Sequence, residues 1–582
     1  MTTKFQKPLA TVPGWGLPSD VSSLVTDLPV ILAGLALFYV LLSLTHYWLA
    51  PANGQVEIDL SPTALPKYAT LSVLRIAIAY VFSLVFSVIY GYVAAYNPRA
   101  ERIMIPLLDT LQSIPVLSFL PGVMLAMMAL LPTRQLGIEL GSILLIFTGQ
   151  VWNMAFSFYS SLKTIPREMQ EVARIYRWSW WQKFVQLEMP YAAIGLIWNS
   201  MMSVAGGWFF LIACEMFTLK DRDLRLPGLG SYLQTAANVG NTRAIVWGLV
   251  VMIGVIVLMD QLIWRPVIAW AEKFKFEQVE SAAAPGSPVL EFLRRSRVLP
   301  LIAHAFFQPA GERIMLFAAH EHDSEHGRES SGAPSAWIRW LILIAALAGL
   351  AYALVKMLAV LAALTAPELK TIFLGAGATF LRVELTLVLA GLWTIPVGVT
   401  IGLNPRLSAV VQPIAQIAAS VPATALFPII LLFLIRAGGG LGIGSIVLLL
   451  LGTQWYILFN VIAGAIAIPT DLKEVCRVFR FSRWERWRDL LLPGIFPYLV
   501  TGFVTASGGA WNASIVAEYF HFQGKTFSTV GLGAVISGAT DTGNFPVLIG
   551  ATILMAAMVV TINRLLWRRL YALASTRFKL DT

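Results

Sequence analysis

The chain has 582 residues, 57% of them hydrophobic and only 13% charged, with a mean hydropathy of +0.72. Soluble proteins carry roughly 25% charged residues, so this composition excludes a soluble globular enzyme, a disordered scaffold and a secreted disulfide-stapled fold. The formal net charge is +10, from 42 Lys and Arg against 32 Asp and Glu; in so apolar a chain the excess fits the Lys/Arg bias of cytoplasmic membrane loops, not a nucleic-acid surface.

A membrane span needs about 20 apolar residues, so this length has room for about a dozen. Runs such as 29–48 and 245–259 show none of the alternation expected of a transmembrane barrel. Residues 1–20 lack the basic, apolar and small-residue order of a signal peptide, so the first span, near Pro29, is expected to stay. The first half predicts spans near 29–50, 70–96, 103–131, 138–160, 191–217 and 243–268. Residues about 271–336 follow as a linker, with Pro-Gly-Ser-Pro at 285–288 and a polar tract holding His320, His322 and His326. Histidines among carboxylates suit a metal, but the tract's composition reads more simply as a solvated, flexible linker. The second half predicts spans near 337–363, 372–402, 409–435, 441–463, 495–520 and 546–570. Two cysteines, Cys214 and Cys476, are too few for a disulfide framework and are expected as free thiols.

The two halves are copies. Asn97-Pro98-Arg99 recurs as Asn404-Pro405-Arg406 at an offset of 307, which also joins Arg75 to Arg382, Gly91 to Gly398, Pro115 to Pro422 and Pro121 to Pro428. Further on the offset is 303, joining Glu171 to Glu474, Pro190 to Pro493, Trp208 to Trp511, Glu215 to Glu518 and Gly228-Leu229-Gly230 to Gly531-Leu532-Gly533. The shift of four falls in loop-like sequence between Pro121 and Trp152, where length changes are tolerated. The loop after the fourth span is basic in both copies, with Lys163, Arg167, Arg174, Arg177 and Lys183 in the first and Lys473, Arg477, Arg480, Arg483, Arg486 and Arg488 in the second. The Lys/Arg bias places both loops in the cytoplasm, so the copies share one orientation and are expected to be related by a pseudo-twofold axis along the membrane normal. The N-terminus, linker and C-terminus are then expected to be cytoplasmic. Lys220, Arg222 and Arg225 dissent on the outer side, among Asp221 and Asp223.

Each basic loop predicts a short helix, a break and a second helix. Pro166 suits a first helical turn, Glu168 and Glu171 favour the positive helix end, and Val172, Ile175 and Tyr176 form an apolar stripe. Ser179 with Gln182, and Ser482 with Glu485, have the spacing of capping boxes.

These loops resemble the EAA motif of type I ABC importer permeases. It reads Glu171-Val172-Ala173-Arg174-Ile175-Tyr176-Arg177 through Glu188-Met189-Pro190, and Glu474-Val475-Cys476-Arg477-Val478-Phe479-Arg480 through Leu491-Leu492-Pro493. Both copies depart at the motif's glycine, replaced by Arg177 and Arg480, which weakens any expectation of a tight glycine turn. The Asn-Pro-Arg, the prolines of the third span and the Gly-Leu-Gly after the fifth look similar to the nitrate/sulfonate/taurine subgroup. The resemblance implies the type I ABC permease fold in the bacterial inner membrane, with coupling helices docked on two ABC ATPase subunits. It implies a periplasmic substrate-binding protein that delivers a small, anionic solute. ATP and Mg would sit on those ATPase partners, with no cofactor in this chain. Consistent with that, the sequence has no Gly-x-x-x-x-Gly-Lys-[Ser/Thr] phosphate loop, no metal-ligand spacing and no catalytic constellation.

Ionisable residues within spans are costly in lipid and mark function or pairing. Glu215 and Glu518 are candidates to gate the outer mouth, to hydrogen-bond the Gly-Leu-Gly turn, or to be held by a backbone cap. Arg75 and Arg382 would draw in an anion or snorkel to the interface. Asp260 is expected in a helix–helix hydrogen bond. Pro115 and Pro422 break the third span, and Gly206-Gly207-Trp208 and Gly508-Gly509-Ala510-Trp511 permit close helix approach. With Glu215 and Glu518, these prolines and tryptophans are the pathway candidates. The expected architecture is an all-α polytopic membrane protein of two tandem parallel six-helix repeats, with a first repeat over 1–270, a linker over 271–336 and a second repeat over 337–582. The alternative is an ion-coupled secondary transporter of six-plus-six helices. Its familiar Gly-x-x-x-Asp-Arg signature is absent where Asn97-Pro98-Arg99 stands.

Overall fold

Long apolar runs that carry a small or hydroxyl residue every third or fourth place become long helices in the computed structural model. It describes residues 28–29, 32, 57–131, 133–219, 222–274, 288–295, 336–436, 440–522 and 525–577. In the first copy α1 is Leu65–Tyr96, α2 Pro98–Ser113, α3 Leu120–Leu130, α4 Arg134–Lys163, α5 Arg167–Ile175, α6 Trp180–Glu215, α7 Leu229–Val239 and α8 Thr242–Ala271. In the second, α9 is Ala336–Leu361, α10 Ala366–Leu403, α11 Pro405–Ser420, α12 Ala423–Arg436, α13 Leu441–Ala467, α14 Thr470–Val478, α15 Arg483–Ala517, α16 Leu532–Thr542 and α17 Phe545–Ala574. Among the described residues eight helices are long and apolar enough to cross a membrane, or nine if a bent pair counts as one. Apart from 29 and 32, the span expected near 29–50 lies outside the described residues, as do the linker histidines.

The described residues fall into two compact units. One lies within Met1–Ala50, Ser160–Trp198 and Leu258–Ala333. It holds α5, the start of α6, the end of α8 and a short helix at Pro288–Arg295. There Asp260 binds Arg265 Nε at 3.1 Å within its own helix, not a neighbouring helix as expected. The reason is local: 260–264 form one π-helical turn, which widens the backbone and brings residues five apart together.

The other unit covers Pro51–Tyr159, Asn199–Val257 and Pro334–Thr582. Its packing follows the membrane rule that small residues face neighbouring helices and large apolar ones face lipid. On α1, Ser72, Ala79, Ser83, Ser87, Gly91 and Ala94 are buried, while Val81, Phe82, Val85 and Ile89 are exposed. Ser87 Oγ donates to Val151 O of α4 at 3.1 Å. A Cβ on Gly91 would stand 2.8 Å from Phe158 and 3.1 Å from the backbone nitrogen of Tyr159, so only glycine allows this crossing. The buried stripe of α10 repeats it with Thr379, Thr386, Ala390, Thr394 and Gly398, and α13 packs against both α10 and α15.

The expected third span is two helices. Pro98–Gln112 and Val116–Leu130 meet at 84°, with Ile114 extended before Pro115. A residue before proline avoids the helical region, and Val421 before Pro422 does the same. Asn-Pro-Arg is a helix start in both copies. The Asn97 side chain accepts from the Arg99 and Ala100 backbone, Asn404 from Arg406 and Leu407, and the proline takes the first turn. Sequence reading missed two features. A short antiparallel hairpin follows the fifth span in each copy, β1 (Thr218–Leu219) with β2 (Arg222–Asp223) and β3 (Tyr519–Phe522) with β4 (Lys525–Ser528). Single π-helical turns also occur at matching places, at 184–188 and 486–491 and again at 260–264 and 563–567.

Candidate functional site

The two basic loops fold alike, each described within its own unit. α5 ends with Tyr176 N–H donating to Val172 O at 3.0 Å, Arg177 N–H to Arg174 O at 3.0 Å and Trp178 N–H to Ala173 O at 3.0 Å. α14 ends identically, with Phe479 to Val475 at 2.9 Å, Arg480 to Arg477 at 3.1 Å and Phe481 to Cys476 at 3.0 Å. This is a Schellman stop, which needs a left-handed residue just past the helix. Arg177 and Arg480 fill that place, both with φ 49°, and are the only non-glycine residues with positive φ among the described ones. The tight turn is thus present although the motif's glycine is not: the hydrogen bonds enforce it on arginine. A left-handed non-glycine residue costs roughly 1 kcal/mol, so Arg177→Gly and Arg480→Gly are each expected to raise stability by up to about 1 kcal/mol. Thermal unfolding in detergent checks this, and Arg177→Val should move the midpoint the other way, because β-branched residues resist positive φ.

The capping boxes are formed. Ser179 N–H donates to Gln182 Oε1 at 2.9 Å and Ser482 N–H to Glu485 Oε2 at 2.7 Å, with the reciprocal bonds present. Ala173 and Cys476 are buried, while Glu171, Val172, Glu474 and Val475 are exposed and Pro190 and Pro493 half-buried. The apolar stripe is uncovered: Ile175 is 76% exposed and Val478 77%, flanked by exposed Tyr176 and Phe479.

Glu215 and Glu518 are centres of two matching buried nodes. Arg75 makes a bidentate pair with Glu139 (Nε–Oε2 2.7 Å, Nη2–Oε1 2.8 Å) and a single bond from Nη1 to Glu215 Oε1 at 2.8 Å. Glu215 also accepts from Ser72 Oγ at 2.6 Å and from Gly230 N–H at 2.7 Å, while Leu229 N–H donates to Ser72 Oγ at 3.0 Å. In the second copy Arg382 Nη1 binds Glu518 Oε1, Thr379 Oγ1 donates to Glu518, Gly533 N–H donates to Glu518 Oε2 at 2.8 Å and Leu532 N–H to Thr379 Oγ1 at 2.7 Å. The positive end of α7 or α16 thus rests on a carboxylate. A Cβ on Gly228 or Gly531 would collide with that carboxylate, which explains the glycine. Of the readings open from sequence, the hydrogen bond to the Gly-Leu-Gly turn is the one present. In place of snorkelling, Arg75 is buried against two carboxylates and Arg382, 10% exposed, pairs with one. Glu139 was missed. A lone acid in the apolar fourth span was the available signal.

Ala213, Met216 and Phe217 of the first copy and Ile515, Val516, Tyr519 and Phe520 of the second line an open cavity of about 140 Å³. Leu117, Leu120 and Pro121 also line it, and Gln234, Ser537 and Asp541 add polar groups. Burial, then the hydrogen bond to Asp541, pushes the Tyr519 phenol up, so it stays protonated. None of the pathway candidates lines this cavity. Pro115 and Pro422 are buried where they break helices, Trp208 and Trp511 are buried in packing, and Glu215 and Glu518 are engaged by arginine.

Residues 83–262 and 394–579 match the family model described as binding-protein-dependent transport system inner membrane component. The chain is 29% identical over 194 residues to the nitrate import permease protein of Leptolyngbya laminosa, covering 33% of this chain and 66% of that protein. It is 29% identical over 195 residues to the bicarbonate transport system permease protein of Synechococcus elongatus (34% and 67%), and 26% identical over 172 residues to the taurine transport system permease protein of Escherichia coli (29% and 58%). The matches thus span about two thirds of these relatives' lengths or less.

Proposed function

Because the chain belongs to the binding-protein-dependent transport system inner membrane component family, we propose that it is the multi-pass permease of an ABC importer, with both halves of the usual pair on one chain. It forms the route for a small solute with an anionic group, delivered by a periplasmic binding protein. Two ATPase subunits bind the loops at 165–190 and 468–493 and hold the ATP and Mg, leaving this chain without an ATPase site. N-terminus, linker and C-terminus lie on the cytoplasmic side, as the Lys/Arg distribution supports.

One observation carries this reading. Each loop presents a short helix whose apolar stripe, Val172–Ile175–Tyr176 or Val475–Val478–Phe479, is open on a strongly basic surface. An amphipathic helix left uncovered in this way suits a groove on a second protein, and two of them let rigid-body closure of two partners move the spans. Glu171 and Glu474 lie on the same helices.

The test is co-purification with the ATPase subunits encoded with the chain, followed by ATP-driven uptake in proteoliposomes. The double variant Ile175→Asp/Val478→Asp is expected to lose at least about tenfold in ATPase retention, since an aspartate cannot enter an apolar groove unpaired. Charge reversal at Glu171 and Glu474 together has the same expected direction. Retained ATPase binding and uptake in both double variants would overturn the coupling assignment.

A further inference from the structure

A second open cavity, of about 560 Å³, lies in the second copy, lined by the end of α10, the start of α11, the end of α13 and α14. Ser408, Gln412 and Gln416 line it from one face of α11, spaced four apart. They are the only polar side chains between Leu407 and Ala419. Lys473 lines it from α14, half-buried and with no hydrogen bond or ion pair to any described residue. None of the described lining residues is Asp or Glu.

The hydrogens left over on this wall can be counted. Gln412 Nε2 donates to Ser408 Oγ. A glutamine amide has two hydrogens and a serine hydroxyl one, so the pair keeps two to give. An amide turned the other way accepts from Ser408 and again leaves two. The Lys473 ammonium adds three. Gln416 is already engaged, its amide donating to Met201 Sδ at 3.4 Å. The wall is thus donor-rich and positive. It suits a group that brings acceptors and negative charge, the oxygens of a phosphate, sulfonate or carboxylate. The first copy is built otherwise. At the two offsets Glu101, Ile105, Asp109 and Gln170 stand where the second copy has Ser408, Gln412, Gln416 and Lys473. Two acids are added there and the cation is lost. Glu101 accepts from Tyr159 Oη at 2.5 Å, and Gln170 Nε2 donates to Ile165 O at 3.0 Å.

We propose that the second copy alone carries an oxyanion site on the cytoplasmic side, with Lys473 as the counter-charge and Ser408 and Gln412 as hydrogen-bond donors. Its ligand is a phosphate, sulfonate or carboxylate group, borne by a small cytoplasmic anion or by the headgroup of an anionic lipid. A ligand seated there bridges α11 and α14, the helix proposed above to meet an ATPase subunit. The cavity stands without the permease reading, which only places it on the cytoplasmic side.

The test uses the full chain assembled with its ATPase subunits in nanodiscs. Acetylation of Lys473 by N-hydroxysuccinimidyl acetate is followed by peptide mass mapping, with exposed Lys370 as the internal reference. An ammonium held by an oxyanion gives up its proton less readily and acetylates more slowly. In phosphatidylcholine nanodiscs, inorganic phosphate or methanesulfonate replacing chloride at equal ionic strength tests the small anion. Nanodiscs containing phosphatidylglycerol, with no oxyanion added, test the lipid headgroup. One of the two is expected to slow Lys473 at least about threefold relative to Lys370, and Ser408→Ala and Gln412→Leu, made singly, to remove most of that protection. Protection by neither source overturns the proposal on the unaltered chain, whether or not the variants fold. Protection that survives both substitutions also overturns it, since the counter-ion of a lone lysine needs neither donor. A Lys473 that is unreactive from the outset overturns it too, by showing the cavity closed in the assembly; the coupling-loop experiment judges the permease reading separately.

Discussion

Arg75→Met is expected to lower the stability of the folded protein by about 3–5 kcal/mol, because removing one side of a buried ion pair strands the other. Here two carboxylates are stranded, Glu139 and Glu215, both 0% exposed, against an arginine 2% exposed. Arg382→Met is expected to lose less, since it strands Glu518 alone and Arg382 is 10% exposed. Unfolding of the detergent-solubilised protein orders the two variants. Adding Glu139→Gln and Glu215→Gln to Arg75→Met should recover part of the loss, because neutral amides are cheaper to bury than carboxylates. Equal midpoints for the two arginine variants would contradict a node that holds two acids in one copy and one in the other.

Trp511→Ala should cost about 3–5 kcal/mol, the range for truncating a fully buried large aromatic. Trp208→Ala belongs in the same range, since both side chains are buried. Trp511→Phe separates packing from hydrogen bonding. The Trp511 Nε1 finds no acceptor among the described residues, so phenylalanine loses no hydrogen bond there and should cost well under the alanine value, about 1–2 kcal/mol. Both values come from the same unfolding measurement, with uptake assayed in parallel. Normal stability with lost uptake in Trp511→Phe would mean that the indole N–H serves the solute, and would place this residue on the route.

Much of the architecture was legible because duplication doubles every signal. A proline or glycine seen once is ambiguous, but Pro115 with Pro422 and Gly228 with Gly531 in fixed register mark places where the backbone has a task. The capping boxes were legible because a cap is local: Ser179 and Gln182 need only each other and one turn of helix. The nodes were half legible. Glu215 and Arg75 stood out as ionisable groups in apolar sequence, but their pairing joins residues 140 apart, and only packing reveals it. The left-handed Arg177 could not be read, because arginine ordinarily argues against positive φ and the carbonyls of α5 overrule that preference. The π-helical turns leave no pattern in residue type. The cavities were missed for a further reason: each is lined by residues far apart in the chain, and only packing brings them together.

Gly442 stands where Glu139 would have its twin, and an added Cβ there would lie 3.9 Å from Thr529, itself beside Arg382. A permease assembled from two identical subunits must accept every mutation twice and would hold two such acids or none. Joining the halves in a single reading frame lifts that constraint. One side of the portal becomes free to drift toward a new cargo while the other keeps the ancestral mechanics, so selection can act on half a gate at a time.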